Sequence, residues 1–271
     1  MTARPVRASI IVVGDEILDG HTRDTNSGLL AALLAGQGVA IDRIVTVPDE
    51  IAAIHEALTA ELGRSRPRLL VTSGGIGTTP DDLTMEALAT YLGVGLVTEP
   101  ALAARIAGWA ERARAQGTPR AHDELVALNK LARIPEGARL LAGAAAATPG
   151  AITDLDGGLS DGGVSLVILP GVPEEFERLA RDNLVPLVEG RGVDADLVEL
   201  THPYPEARLT PTLTDLAARY PEVSVGSYPG EVCTLRIKGP RAGVREVAET
   251  LRARIARLGA PNGGVAEADE R

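Results

Sequence analysis

Short apolar runs alternate with amphipathic stretches along the first 190 residues of this chain. The apolar runs have the length of strands, and they occupy residues 8–13, 39–47, 69–72 and 166–169. Between the runs, apolar residues recur with the spacing of a helix, as at Ile51, Ile54 and Leu58, where Asp49 is predicted to cap the helix. Strands that alternate with helices predict right-handed crossovers and a mostly parallel sheet.

The pattern changes after a glycine-containing linker at residues 189–193. Beyond it the chain predicts a strand, a helix, two strands and a last helix whose apolar residues form one stripe from Val244 to Leu258. We therefore predict three parts: an α/β domain over residues 5–190, a small split βαββα domain resembling KH-type RNA binders over 191–258, and a disordered tail over 259–271. Within the first domain, further helices are predicted over 100–116, 120–131 and 173–188, and an irregular segment over 135–155.

The segment from Leu69 to Asp82 carries the clearest chemical pattern. A buried strand leads into a turn with three glycines, which let backbone N–H groups approach a ligand closely, and Thr79 is predicted to begin a helix. Asp81 and Asp82 would then lie in the first helical turn, where they would repel a bare phosphate. A divalent cation between carboxylates and phosphates removes that conflict. The same residues also make an ordinary capped helix start, so the pattern alone leaves both interpretations open.

A second acidic turn, Gly14-Asp15-Glu16, follows the first predicted strand. Ligands of parallel sheets gather at the carboxyl ends of the strands. We therefore expect this turn and the turn with three glycines, at residues 74–77, to face one crevice. Asn26 either caps the next helix or binds a ligand there. The turn after residue 169 places Glu174 at the same edge of the sheet.

Composition narrows the classes of function. The chain has 271 residues and a net charge of −10, which argues against a nucleic-acid partner. Its single cysteine excludes a disulfide framework. No apolar stretch approaches the ~18 residues of a membrane helix, so we expect no membrane partner and a cytoplasmic location. We also expect the chain to assemble as a homodimer.

Several segments together resemble a known family. They occur in order at residues 14–20, 24–26, 74–84, 129–137, 148–150 and 169–173. The chain resembles the N-terminal domain of the competence/damage-inducible protein CinA, in the molybdopterin-binding (MoaB/Mog-like) fold superfamily. Residues 20–26, 47–50 and 226–229 are similar to the molybdopterin-binding-type half of eukaryotic FAD synthases.

The resemblance implies a three-layer α/β sandwich and a divalent-metal-dependent (Mg²⁺, Mn²⁺ or Co²⁺) hydrolysis of the diphosphate in ADP-ribose or FAD-type nucleotides. It implies Asp81 and Asp82 as metal ligands and Asp81, Asp82, Glu16 and Lys130 as catalytic residues. The implied substrate-binding residues are Gly14, Asn26, Ser73, Gly74, Gly75, Gly77, Thr78, Thr79, Asn129, Gly150, Gly171 and Glu174.

One departure from the family concerns the glycine loop. The family usually has proline at the position of Thr78, which suggests a less rigid loop here. We expect neither the nicotinamide-nucleotide deamidase activity of full-length CinA nor the adenylyl transfer of FAD synthase. The alternative to hydrolysis is a binding protein for molybdopterin or another pterin phosphate, without turnover.

Overall fold

The four longest apolar runs form four neighbouring strands of a six-stranded sheet in the computed structural model, which describes residues 4–118, 121–143 and 149–259. The chain divides into two units, Met1–Gly192 and Val193–Arg271. The strands of the first unit are β1 (Arg7–Val13), β2 (Ala40–Val47), β3 (Arg68–Ser73), β4 (Leu96–Thr98), β5 (Arg133–Pro135), β6 (Arg139–Leu140), β7 (Ala151–Leu155) and β8 (Val164–Leu169).

The sheet has the order β2-β1-β3-β8-β7-β6. Strands β2, β1, β3 and β8 run parallel, as predicted, while β7 and β6 add an antiparallel edge. Strands β4 and β5 pair separately as a small antiparallel ribbon. The prediction of an irregular segment over 135–155 was wrong for β6 and β7, because Ala151 and Ile152 are buried by pairing with β8.

Helices cover both faces of this sheet. Their bounds are α1 (Asp15–Leu18), α2 (Asn26–Ala35), α3 (Ile51–Leu62), α4 (Thr84–Leu92), α5 (Pro100–Ala115), α6 (His122–Lys130), α7 (Pro173–Leu179) and α8 (Val185–Val188), with a π-helical turn at Ala180–Leu184 and a 3₁₀ turn at Gly158–Asp161. Successive residues of β1 alternate between two cores: Ile10 packs with the cluster of α2 and α7, and Ile11 with the cluster of α3 and α4. The predicted α/β sandwich is confirmed.

The second unit has the order strand, helix, strand, strand, helix. Its elements are β9 (Ala195–His202), α9 (Thr210–Arg219), β10 (Ser224–Tyr228), β11 (Cys233–Pro240) and α10 (Arg241–Gly259), with a 3₁₀ turn at Glu206–Arg208. The three strands form an antiparallel sheet in the order β10-β11-β9. Leu235 and Ile237 pack against Val244 and Leu251 of α10 in a core of their own.

Two further predictions concern the last residues of the chain and membrane-spanning helices. Gly259, which was assigned to the predicted tail, is the last residue of α10, and the other residues of that prediction, 260–271, lie outside the described part of the chain. Across the three described ranges, no helix is both long enough and apolar enough to cross a membrane.

A buried ionic network holds the amino ends of the central strands. The Arg68 side chain is fully buried and donates from both terminal nitrogens to the Asp42 carboxylate, at 3.0 Å each. One of those nitrogens also donates to Ser9 Oγ at 3.1 Å. The hydrogen bond from Arg68 and the positive charges of Arg68 and Arg64 hold the pKa of Asp42 below its usual range, against the opposing effect of burial. Strands β1, β2 and β3 are thereby tied together by one side chain.

Replacing Arg68 by methionine should lower the free energy of unfolding by about 2 kcal/mol, because the Asp42 carboxylate loses two charge-assisted hydrogen bonds and keeps only the more distant Arg64. Urea denaturation at pH 7 measures this. A lowered pKa stabilises the fold above the unfolded value and is lost as pH falls through the folded value. The deficit of Arg68→Met should therefore shrink below about pH 4. Arg114→Met, an exposed arginine of α5, is the control; a deficit that is the same for both variants would contradict this account.

Candidate functional site

The four parallel strands end at one edge of the sheet, and four loops meet there. They are residues 14–16 after β1, 48–50 after β2, 74–83 after β3 and 170–172 after β8. Backbone hydrogen bonds join neighbouring loops to strand ends: Gly14 N donates to Val47 O at 3.1 Å, and Gly74 N donates to Leu169 O at 3.2 Å. The two turns predicted to share a crevice are therefore neighbours.

Glycine is required at two positions of the loop after β3. Gly74 and Gly75 have φ angles of +98° and +66°, a backbone region that other residues rarely adopt. A Cβ at Gly74 would lie 2.3 Å from the carbonyl oxygen of Val13, and one at Gly75 would lie 2.3 Å from Thr84 Oγ1. The loop can thus lie directly against β1 only because these two residues lack side chains.

The amides of Gly75, Ile76, Gly77 and Thr78 donate to no acceptor in the described residues. Backbone N–H groups of partly buried segments are normally paired, with protein, water or ligand. Successive unpaired amides in a turn that contains left-handed residues form a concave site for anions. We refer to residues 74–79 as the glycine loop, and its free amides are suited to phosphate oxygens.

The helix after the glycine loop begins later than predicted. Helix α4 starts at Thr84, and neither Asp81 nor Asp82 lies in its first turn. Thr84 N donates to Gly75 O at 2.9 Å and Thr84 Oγ1 donates to Gly74 O at 2.9 Å, so the chain folds back on itself before the helix. This geometry places Asp81 and Asp82 in a turn beside the glycine loop, and not in the first turn of the helix as predicted.

Asp82 and Lys130 hold the end of the glycine loop. The carboxylate of Asp82 accepts hydrogen bonds from the amide of Thr79, at 2.8 Å, and from the Thr79 hydroxyl. Lys130 Nζ, at the end of α6, donates to Thr79 O at 2.7 Å.

On the other side of the glycine loop lies a recess of about 70 Å³. Asn26 Nδ2 donates to Ser73 Oγ at 3.0 Å and to Gly171 O at 2.9 Å across its floor. The other atom of that amide, Asn26 Oδ1, is buried and accepts no hydrogen bond in the described part of the chain. Glu16 also lines this recess. The recess is therefore lined by a residue whose buried amide oxygen has no hydrogen-bond partner among the described residues.

Asp49 belongs to the site, although the sequence analysis assigned it to a helix cap. That prediction was wrong: α3 has no side-chain cap, and Asp49 Oδ2 accepts a hydrogen bond from Asp15 N at 2.9 Å. Burial raises the pKa of the Asp49 carboxyl, and the charges of Glu16, Asp15 and Asp81 raise it further. Its position directly after a parallel strand, as for Asp15, is the signal that could have identified it.

Eight predicted residues line neither of the two small recesses at this edge. Five of them belong to the loops described above: Gly14, Gly75, Thr78, Thr79 and Asp81. The other three are Asn129, Gly150 and Glu174. Gly150 is buried, and a Cβ there would lie 2.9 Å from Leu179 Cδ1, so this glycine serves packing. Asn129 and Glu174 are exposed and line neither recess. The predicted neighbour Thr148 lies outside the described residues. By contrast, Gly77, Asp82 and Lys130 line one small recess, and Glu16, Asn26, Ser73, Gly74 and Gly171 line the other.

The carboxylates at this edge do not form a closed metal centre. Within residues 4–118, 121–143 and 149–259, no three His, Cys, Asp or Glu side chains are placed to hold one ion. Mg²⁺ is commonly bound by one or two carboxylates together with substrate phosphates and water. The donor set at this edge fits that mode of binding, in which the ligand completes the coordination.

A family profile described as "Probable molybdopterin binding domain" matches residues 9–190. The chain belongs to this family. Proteins of Aeropyrum pernix and Thermococcus kodakarensis are each 34% identical to it, over 82% of this chain and 79% and 85% of their own lengths, and neither name states an activity.

Among solved structures, CinA from Thermoplasma acidophilum, whose function is described as unknown, is similar to this molybdopterin-binding-family protein. It has 32% identity and a TM-score of 0.53, covering 65% of this chain and 94% of the CinA chain. The predicted CinA-like membership of the MoaB/Mog-like superfamily is confirmed.

The carboxylates at the carboxyl ends of the parallel strands should lower the free energy of unfolding of this molybdopterin-binding-family protein. Because the pKa of Asp49 is raised, its charge opposes folding at neutral pH, and Asp49→Asn, which can still accept from Asp15, should stabilise the fold by about 0.5–1 kcal/mol at pH 7. The gain should vanish as pH falls below about 4, where the carboxyl is neutral in both states. Thermal unfolding between pH 3.5 and 7.5 measures this, with Asp182→Asn as control. A loss of stability at pH 7 would show that the Asp49 charge is favourable.

Proposed function

We propose that this protein hydrolyses the diphosphate linkage of a dinucleotide-type substrate such as ADP-ribose or FAD, with a divalent cation. The observation that carries the proposal is the juxtaposition of four free amides in the glycine loop with the carboxylates of Asp15, Glu16, Asp49 and Asp81. Free amides favour a phosphate, whereas the carboxylates repel one. A divalent cation bound between the carboxylates and the phosphate would let the amides and the carboxylates both contribute to binding.

Asp81 and Asp82 are the residues that would hold the cation. Asp81 is exposed, and Asp82 uses one carboxylate oxygen, Oδ2, for both bonds from Thr79. When bound, the cation would neutralise charge that develops on the phosphate oxygens. The glycine loop would bind and orient the diphosphate through its amides, with Lys130 adding positive charge at the end of the loop.

The remaining polar groups have roles that follow from their environments. Asn26 Oδ1 would accept from a ribose hydroxyl or an amino group of the substrate, because it is otherwise unsatisfied. Asp49, whose pKa is raised, is suited to take the proton of an attacking water. A bond from the water oxygen to phosphorus forms, the bridging P–O bond breaks, and two phosphate monoesters result, one of them AMP for ADP-ribose.

Hydrolysis is tested by incubating the full chain with ADP-ribose, FAD or NAD and with Mg²⁺, Mn²⁺ or Co²⁺, followed by chromatography of the products. The wild type should release AMP with at least one metal, and Asp81→Ala/Asp82→Ala should reduce the rate at least ~100-fold, as expected for loss of charge stabilisation in the transition state. Asp182→Ala/Glu189→Ala removes the same charge elsewhere and should retain activity. Absence of AMP release under all conditions would refute hydrolysis.

The second candidate is a binding protein for molybdopterin or another pterin phosphate, without turnover. The family description supports it, and the buried Asn26 Oδ1 would accept equally well from a pterin amino group. A fluorescent pterin that co-purifies with the wild type but not with Asp82→Ala or Gly75→Asp would favour this function. Protein that is folded, free of pterin and active on ADP-ribose would exclude it.

The predicted homodimer and the cytoplasmic location stay predictions. Light scattering on the full chain, coupled to size-exclusion chromatography, would decide between a monomer and a dimer.

A further inference from the structure

A second cavity lies at the opposite edge of the large sheet. It has a volume of about 430 Å³, within the range of small-molecule sites. Its walls come from the residues directly before β1, β3 and β8, including Val6, Pro67 and Gly162. Because these strands are parallel and six or seven residues long, the cavity lies ~20 Å from the glycine loop.

The walls of this cavity are held by backbone hydrogen bonds. Val6 N donates to Arg191 O at 2.9 Å, Arg7 N donates to Pro67 O at 3.2 Å, and Arg68 N donates to Gly163 O at 3.1 Å. The cavity is therefore built from the ends of core strands and does not rest on one exposed loop. Its shape depends on the same edge of the sheet that the Arg68–Asp42 pair ties together.

Positive charge dominates the lining. Three arginines, Arg4, Arg66 and Arg191, line the cavity, whereas no Asp or Glu is among its described lining residues. Arg66 is ion-paired with Asp156, so its charge is largely offset. Arg191 donates to Leu159 O at 3.0 Å, which fixes its guanidinium without neutralising it. The Arg4 side chain pairs with no acidic group in the described residues.

We propose that this cavity binds a small organic anion, held by Arg4 and Arg191 through a phosphate or carboxylate group. Both arginines line this one cavity, and neither is ion-paired within the described residues, although the chain has a net charge of −10. Guanidinium groups match the planar or tetrahedral oxygens of such anions with paired hydrogen bonds. Pro5, Val6, Pro67 and Leu159 give the same cavity apolar walls, which suit a ligand that carries an apolar body as well as its charge.

The two sites differ in their need for a cation. The glycine loop is surrounded by carboxylates, and its proposed anion requires a divalent cation, whereas the arginine-lined cavity supplies the positive charge itself. Anion binding by protein that has been stripped of metal and dialysed into buffer free of chelator therefore reports on the arginine-lined cavity. This inference stands whether or not the protein hydrolyses nucleotides.

Isothermal titration calorimetry of the metal-stripped full chain in buffer free of chelator, with phenyl phosphate, benzoate and inorganic phosphate as probes, tests the proposal. Phenyl phosphate or benzoate should bind at one site per chain, and more tightly than inorganic phosphate, because the apolar walls contribute. A preference between the first two identifies the anionic group. Affinity should fall with added salt, as expected for charge-assisted binding.

Variants of the lining arginines test whether the anion binds in this cavity. Arg4→Gln removes a side chain with no ion pair and should weaken binding at least ~10-fold without a change in thermal stability. Arg191→Gln should weaken it as much, and Arg114→Gln on α5, which removes the same charge, should not. No binding of any probe at millimolar concentration, or equal affinity for wild type and Arg4→Gln, would overturn the proposal.

Discussion

The constraint on which the site depends is the contact between the Gly74 backbone and the carbonyl of Val13. It lets the loop after β3 lie on the end of β1, and so brings the Asp15–Glu16 turn, Asp49 and the glycine loop to one place. Any side chain at Gly74 would force these loops apart, since a Cβ would approach the carbonyl oxygen to 2.3 Å. The carboxyl ends of the parallel strands bring these loops to one edge of the sheet. The absence of a side chain at Gly74 lets the loops pack against one another there.

The two edges of the sheet carry opposite charge. At the carboxyl ends of the strands, burial and the nearby charges of Glu16, Asp15 and Asp81 raise the pKa of Asp49. At the amino ends, arginines dominate: Arg68 is buried with Asp42, and Arg4 and Arg191 line the second cavity. Such an arrangement costs stability at the carboxyl edge, because like charges are held close together. Clustered like charges of this kind are typical of functional sites.

Most of the fold could be predicted from the sequence, because the central strands are continuous apolar runs bounded by glycine or proline. Strands β6 and β7 could not, since residues 139–140 and 151–155 are short, and the pairing of β7 with β8 and of β6 with β7 is a tertiary effect. The start of α4 was misplaced because Thr79-Pro80 is a good local helix start, which the hydrogen bonds of Thr84 to Gly74 and Gly75 override. Asp49 was missed because the same residue type also caps helices, and only its bond from Asp15 N separates the two roles.

The central claim is that the loops at the carboxyl ends of the parallel strands bind a diphosphate and a divalent cation together. It is tested most directly by the affinity for α,β-methylene ADP, a diphosphate with a non-hydrolysable bridge, measured by calorimetry with Mn²⁺ and with EDTA. The account predicts that Mn²⁺ tightens binding at least ~10-fold, which corresponds to about 1.4 kcal/mol of coupling. It also predicts that Asp81→Asn/Asp82→Asn abolishes the difference. Equal affinity with Mn²⁺ and with EDTA would contradict the account.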